Sequence, residues 1–462
     1  MKSLMFRAAI SAVFASSLSA GVNAETGLWE VYQQALRNDP TILASEMTLK
    51  ATEERVDQSF SGLLPTLSAT YSLSREQNER VAFDFDSNTS TLLQYDTESE
   101  SDGETLNVNL SQVIYNHQTW LGLDISKKRA LKAGVDHEVQ KQSLIIRVSE
   151  AYFNILGAQD KVDFSSAEMN AIKQELEQTN QKFEVGLIAI TDVHEAQARY
   201  DQAVADNIVA QNELDNALES LREITNEYYE KLQPLKPKFE LRLPEPANVD
   251  KWLTEAEKNN LNFNASKIEK DIARETIKLN FAGHYPSLDL SGTFTDSENE
   301  TTTLKPDPLP GDSRTRTVPS ERTNLSLTLS VPIYSGGNTQ SKVREAQSLF
   351  QQAVHNMEKS YRSAIRETKS AYLGIQASIS AVKALEQSTV SSQAALEATQ
   401  AGFEVGTRTI VDVLNATRTV FSAKQNLARA KYNYILNTLR LKQAAGTLSE
   451  QDLRLAGQLL KN

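Results

Sequence analysis

LNVNLSQVIY, residues 106–115, carries the reading that decides the fold class. Leu106, Val108, Leu110 and Ile114 fall on one side of an extended chain, and Asn107, Asn109 and Ser111 fall on the other. Three more stretches are written the same way. PTLSATYSLS (65–74) sets Leu67, Ala69, Tyr71 and Leu73 against Thr66, Ser68, Thr70 and Ser72. PSLDLSGTFT (286–295) sets Leu288, Leu290 and Phe294 against Ser287, Asp289, Ser291 and Thr293. LSLTLSVPIY (325–334) sets Leu325, Leu327, Leu329 and Val331 against Ser326, Thr328 and Ser330. Each is about ten residues, the length of a strand that crosses a membrane.

A strand half-buried in a soluble sheet would alternate in the same way, so its setting matters. Residues 1–24 read as a secretory signal peptide: Lys2 and Arg7 precede the run AAISAVFASSLSA, and Val22-Asn23-Ala24 offers a cleavage site. Beyond it, nothing approaches the roughly 18 consecutive apolar residues of a spanning helix. An exported chain with four such strands points to a sheet in lipid. That sheet must close, because an unpaired backbone edge in hydrocarbon is costly. Four strands cannot close alone, and two copies would give a barrel ordinarily filled by side chains. The Ser, Thr and Asn lining wants water, so we expect a trimeric 12-stranded β-barrel with four strands per subunit. Residues 75–104 hold nine acids against two arginines, and 296–322 include DPLPGDS; both read as wet external loops. Tyr115 and Tyr334, at the opposite strand ends, stand where barrels place aromatic girdles.

The chain is also an internal duplication. FEVGLIAITDV (183–193) recurs as FEVGTRTIVDV (403–413), and Ala151-Tyr152 recurs as Ala371-Tyr372. Gly62, Pro65 and Leu67 meet Gly283, Pro286 and Leu288, while Leu110-Ser111 and Ile114-Tyr115 meet Leu329-Ser330 and Ile333-Tyr334. We therefore expect a first repeat over 25–233, a Pro-rich linker at 234–248, a second repeat over 249–446 and a C-terminal segment at 447–462. The first repeat should hold strands near 65–74 and 106–115 and helices near 116–180 and 190–226. The second should hold strands near 286–295 and 325–334 and helices near 338–401 and 410–445. Residues 116–180 would span roughly 97 Å as one helix. Leu131, Val135, Val139, Ile146 and Phe153 form one apolar stripe on it, and Leu144, Val148, Tyr152 and Ile155 form a second, nearly opposite one. Two stripes suit a helix held between neighbours, although a coiled-coil rod would explain the length alone.

Composition removes several function classes. The net charge of −12 and the lack of a basic stripe argue against nucleic acid as a partner. With no cysteine there are no disulfides, thiolate metal sites or lipid-anchored Cys. The five histidines are scattered, with no HExxH, GxSxG or phosphate-binding loop, so we expect no enzyme, no cofactor and no metal. A periplasmic coiled-coil adaptor and an outer-membrane receptor or adhesin remain open at this point.

The two FEVG phrases, VPIYSGG (331–337), the paired GLLPTL and GHYPSL starts and the duplication together resemble the family of outer-membrane efflux and secretion channels. The resemblance covers about Glu25 to Gly457. It implies a fold of mixed α and membrane β. The trimeric barrel would be continued by a long 12-helix α-barrel projecting into the periplasm of a Gram-negative bacterium, with an equatorial α/β belt. It also implies passive conduction of drugs, toxic small molecules or exported proteins, in tripartite efflux pumps and type I secretion systems. The implied partners are a periplasmic adaptor (membrane fusion) protein, an inner-membrane transporter of the RND, ABC or MFS type, and outer-membrane lipid.

The same resemblance assigns roles at the FEVG turns. Gly186 and Gly406 can end a long helix at positive φ, making each phrase the tip of a helical hairpin. Asp412 would face the pore as an acidic constriction, and Asn415 stands where a second acidic ring is expected. Glu175, Thr191, Asp192, Phe403 and Arg408 would form the latch that closes the tips, with Phe where relatives carry Tyr. Gly186, Leu187, Gly406 and Thr407 would offer the docking surface for the adaptor. For Asp412, the residues alone favour a helix cap or a solvated surface position over a pore-facing one.

Overall fold

The structure is a computed structural model that describes residues 25–86, 90–237, 239–304 and 314–461. The expected signal peptide and the DPLPGDS stretch lie outside these residues. Four strands form one antiparallel sheet in the order β1 (Thr66–Asp86), β2 (Thr91–Asn116), β3 (Ser287–Leu304) and β4 (Arg314–Ser330). Its register aligns the alternation of all four. Leu67 lies opposite Leu110 and Tyr71 opposite Leu106; Val108 also faces Phe294, and Leu288 and Leu290 face Leu329 and Leu327. Ser68, Thr70, Asn107, Asn109, Ser291 and Ser326 share the other face. A slip of one residue would send a strand's whole apolar set to the wrong side. Among the described residues, no strand lies beyond β1 or β4, so both outer edges are open.

Three details differ from the alternation. β1 and β2 run to 21 and 26 residues instead of ten, because the ladder continues through the stretch expected to be loop. Over 75–80 and 96–104 both faces are polar and the alternation lapses, while opposed pairs such as Arg75–Asp102 still form, with side-chain bonds of 2.7 and 2.8 Å; Val81, Phe83 and Phe85 then resume it on the face of Leu67 and Tyr71. β4 stops at Ser330, short of Tyr334. Pro332 has no N–H to give a ladder, and Gly336 and Gly337, at φ +64° and +81°, turn the chain into the next helix. Finally, the register shifts between Val113 and Tyr115. Ile114 is the extra residue of this bulge, and Tyr115, opposite Leu288, takes the apolar face in its place. Gln112 also falls on that face, where its Nε2 donates to the Leu63 and Val113 carbonyls at 2.9 and 2.7 Å.

The helices are α1 (Leu28–Asn38), α2 (Pro40–Ser61), α3 (His117–Glu184), α4 (Ile190–Thr225), α5 (Val249–Asn259), α6 (Leu261–Phe281), α7 (Asn338–Glu404), α8 (Ile410–Ala444) and α9 (Glu450–Gly457). The chain divides into two compact units that cut across the sequence repeats. One takes residues up to Leu43, Lys141–Lys251 and Lys369 onward; the other takes Ala44–Gln140 and Trp252–Thr368, with the sheet. Each unit mixes both copies, because helices of one copy find their apolar partners on the other. In the first unit Phe153 of α3 stacks on Tyr432 of α8, with ring centroids 5.7 Å apart. In the second, the ring of His117 at the start of α3 lies 5.3 Å from that of Tyr285, just after α6.

Within the first unit α1 buries Leu28, Val31, Tyr32 and Ala35, the i, i+3, i+4, i+7 face. Both stripes of α3 are buried from Leu144 to Ile155. The Tyr152 hydroxyl donates to the carbonyls of Thr26 and Gln233, and short bridges join Thr26 to Leu232 and Leu235 to Leu460. The prolines of the linker keep it extended, so its backbone pairs with the chain start and with the segment after α9.

Asp39, 2% exposed, begins α2. Its carboxylate accepts from the Ile42 N–H at 3.1 Å and from both Arg147 Nη atoms at 3.1 and 2.6 Å. Removing one partner of such a pair leaves the other charge poorly solvated. Asp39→Ala should cost about 3 kcal/mol, seen as a lower melting temperature by far-UV circular dichroism in detergent. An unchanged melting curve would show that the pair contributes nothing net.

Candidate functional site

Both copies of the FEVG phrase are turns between long helices: α3 to α4 across Gly186, and α7 to α8 across Gly406. The two glycines have φ of +77° and +76°. At the first turn the Leu187 N–H donates to the Lys182 carbonyl and the Gly186 N–H to the Phe183 carbonyl, both at 2.8 Å. At the second, the Thr407 N–H reaches Gly402 at 2.8 Å and the Gly406 N–H reaches Phe403 at 3.1 Å. This is the helix stop that satisfies carbonyls left over at a C-terminus. A Cβ on either glycine would meet nothing within 4 Å, so conformation alone, not crowding, calls for Gly. Leu187 and Thr407 are exposed beside them.

The turns differ in how the next helix starts. Thr409 and Asp412 form a reciprocal capping box. Asp412 Oδ2 accepts from the Thr409 N–H and hydroxyl, each at 3.0 Å, and the Asp412 N–H donates to Thr409 Oγ1 at 3.3 Å. Those bonds to the ionised form, with a smaller contribution from Arg408, hold the Asp412 carboxyl below its ordinary range. At α4 the equivalent of Thr409 is Ala189, which has no side chain to cap with, and Asp192 makes no such box. Asn415 is exposed one turn further along α8.

Under the turns, Ile172 and Leu176 of α3 and Ala196 of α4 share a core with Ile410, Val413 and Leu414 of α8. Phe403 packs against this core and carries Lys182 Nζ over its ring, 3.8 Å from the centroid. Glu175 is half-buried; burial raises its carboxyl above the ordinary range, opposed by a 3.4 Å hydrogen bond from Gln400 Nε2. The Arg408 stem lies over Gly402, where a Cβ would stand 2.8 Å from Arg408 Cγ. Among the described residues, no intrachain hydrogen bond or ion pair links Arg408 to Thr191 or Glu175, nor Asp192 to Phe403. A single chain thus brings the latch positions to one end of the helices without joining them.

Sequence reasoning missed Thr409 and Lys182. Thr409 was legible, since Thr-x-x-Asp ahead of an apolar run is a helix-start signature. Lys182 was not, because only the packed turn shows which ring it covers. Among the described residues, no three His, Asp or Glu side chains stand together as metal ligands.

Residues 31–227 and 252–447 match the family described as outer membrane efflux protein. The chain is 40% identical to outer membrane protein TolC of Vibrio cholerae, over 95% of this chain and 94% of that one. It is 27% identical to the alkaline protease secretion protein AprF of Pseudomonas aeruginosa, over 93% and 86% of the two chains. Among solved structures, the CmeC outer membrane channel of Campylobacter jejuni superposes with a TM-score of 0.73 at 16% identity, covering 100% of this chain and 98% of that one.

The capping asymmetry has a direct readout. Asp412→Ala should speed amide exchange in the first turn of α8, whereas Asp192→Ala should leave that of α4 unchanged. Because the folded-state pKa of Asp412 is lowered, its cap persists above the ordinary carboxylate range and is lost as pH falls through the folded value. Equal effects of the two substitutions would contradict the assignment.

Proposed function

The chain belongs to the outer membrane efflux protein family, and on that premise we propose that three copies complete one hollow barrel and carry cargo from an inner-membrane transporter to the exterior. Its place is the outer membrane, and its activity is that of an efflux and secretion channel. The observation that carries the proposal is the sheet, which has one apolar face, one small polar face and two open edges. In lipid the edges must be paired and the polar face must be wetted. Three copies give twelve strands and room for water, whereas two would close around a filled interior.

In this reading α3, α7 and the shorter helices beside them supply four helical columns per copy to a twelve-helix tunnel. The two glycine turns then stand at its inner end. Three copies of Asp412 form the constriction; Oδ2 is held by the cap, which leaves Oδ1 to the pore. Asn415 adds no second ring, so the constriction carries three carboxylates rather than six. The latch forms between neighbouring hairpins, from Arg408 to Glu175 and Thr191, with Asp192 facing position 403. Phe403 has no hydroxyl to offer Asp192 and is held inside its own subunit by Lys182. Open space above Gly186 and Gly406, flanked by Leu187 and Thr407, supports docking of a periplasmic adaptor's hairpin, which would link the channel to an RND, ABC or MFS transporter.

The purified protein should give stable single-channel steps in planar bilayers, and a strain lacking it should become drug-sensitive or fail to export a protein. An assembled protein that conducts no ions would refute the proposal. Two such charges about 6 Å apart interact by about 0.7 kcal/mol in water, so Asp412→Asn should lower the cation-to-anion permeability ratio by about threefold. An unchanged ratio would remove Asp412 from the constriction. A bulky side chain at Gly406 should abolish transport while leaving the oligomer intact; loss of the oligomer would instead assign Gly406 to helix termination alone.

A further inference from the structure

The two glycine turns are near copies, yet each carries its cation at a different place. At a shift of 220, Lys182 and Ile188 of the first turn stand where the second has Gly402 and Arg408. Phe183 and Phe403 are equivalent, and each opens its FEVG phrase. Phe183 is 39% exposed, and among the described residues no cation lies over its ring. Phe403 packs against the core under the turns, and Lys182 Nζ stands 3.8 Å from its ring centroid. Duplication alone does not yield this contact, because it joins unlike positions of the two repeats.

Lys182 is in the last turn of α3, and Phe403 is the residue before the last of α7. Their carbonyls also close the two turns, accepting from the Leu187 and Gly406 N–H groups. The contact therefore ties one helix stop to the other. Glu184 and Glu404 are exposed nearby, yet among the described residues no carboxylate lies within ion-pair distance of Lys182. A cation over a partly buried ring is screened less by salt than an exposed ion pair is. A second tie joins the same two helices, from Gln400 Nε2 to Glu175 at 3.4 Å. Arg408 does not compete for the ring, since its stem lies against its own turn, over Gly402.

Resting on the channel reading above, we infer that Lys182 over the Phe403 ring is a clasp between the two hairpins of one copy, and that it holds the channel shut at rest. Asp412 follows Phe403 across the glycine turn and is fixed by its cap to the first turn of α8. A movement of α7 and α8 away from α3 carries Asp412 with it, and that movement must first draw the ring from under the cation. Lys182 is thus a positioning residue, acting on the constriction through the placement of the second hairpin. Phe403 needs no hydroxyl for this tie, because the ring face itself is the acceptor of the charge.

Single-channel recording of the full mature chain in planar bilayers tests this. Lys182→Met keeps the stem and removes the charge; Phe403→Leu keeps an apolar side chain and removes the ring face. Each should raise the ratio of open to closed time by about fivefold or more. The double variant should go no higher than the larger single effect, because either change alone already breaks the contact. Lys182→Arg, which keeps a cation for the ring, should stay close to the unmodified protein. Should Phe403→Leu fail to assemble, Lys182→Met against Lys182→Arg decides the matter alone. An unchanged ratio in Lys182→Met, full multiplication of the two single effects, or equal opening by Lys182→Arg would each overturn the clasp while leaving the channel standing. Unmodified protein that conducts no ions would remove the channel and the clasp together.

Discussion

An unpaired peptide group in hydrocarbon has no water to turn to, and that constraint governs the rest of the molecule. Among the described residues, the sheet has strands paired on both sides in its middle and two outer strands with one edge unpaired. One face is a band of Leu, Val, Tyr and Phe; the other is a row of Ser, Thr and Asn. In lipid, such a sheet is stable only where its outer edges are paired. The polar row then sets the curvature, because small hydroxyl and amide side chains cannot fill a narrow barrel and are satisfied by water in a wide one.

Duplication explains how one chain serves this geometry economically. Each copy contributes two strands, one very long helix and a shorter partner after a glycine turn, and the copies interleave so that neither forms a domain alone. They have also diverged where their positions differ. The second copy keeps a capped helix start at Thr409–Asp412, whereas the first has Ala189 at that place. The first copy's strand base, at Ile114 and Tyr115, is partly covered by the second, while the second copy's base, at Ile333 and Tyr334, is almost fully exposed. A molecule with exact internal symmetry would need neither distinction.

Most of the sheet was legible in the sequence because period-two alternation is imposed directly by the solvents on its two faces. The strand extensions beyond Leu73 and before Leu106 were not, since the polar runs REQNER (75–80) and DTESESDGE (96–104) interrupt the alternation before Val81, Phe83 and Phe85 resume it. The bulge at Ile114 was hidden as well: one added residue exchanges the faces of Ile114 and Tyr115 without altering the composition. At the turns, Gly186 and Gly406 announced themselves by type, and their positive φ is the physical reason. Asp412 was visible but ambiguous, and the structure gives it a cap that leaves one oxygen uncommitted. Among the described residues, Arg408, Thr191 and Asp192 make no hydrogen bond or ion pair with one another, so their type and position alone did not reveal a contact.

The account rests on closure by identical neighbours, and the number of chains in the detergent-extracted particle tests it most directly. Native mass spectrometry of the mature protein should give a mass of three chains, with no stable single-chain species. A folded monomer, or a closed particle of two chains, would contradict it.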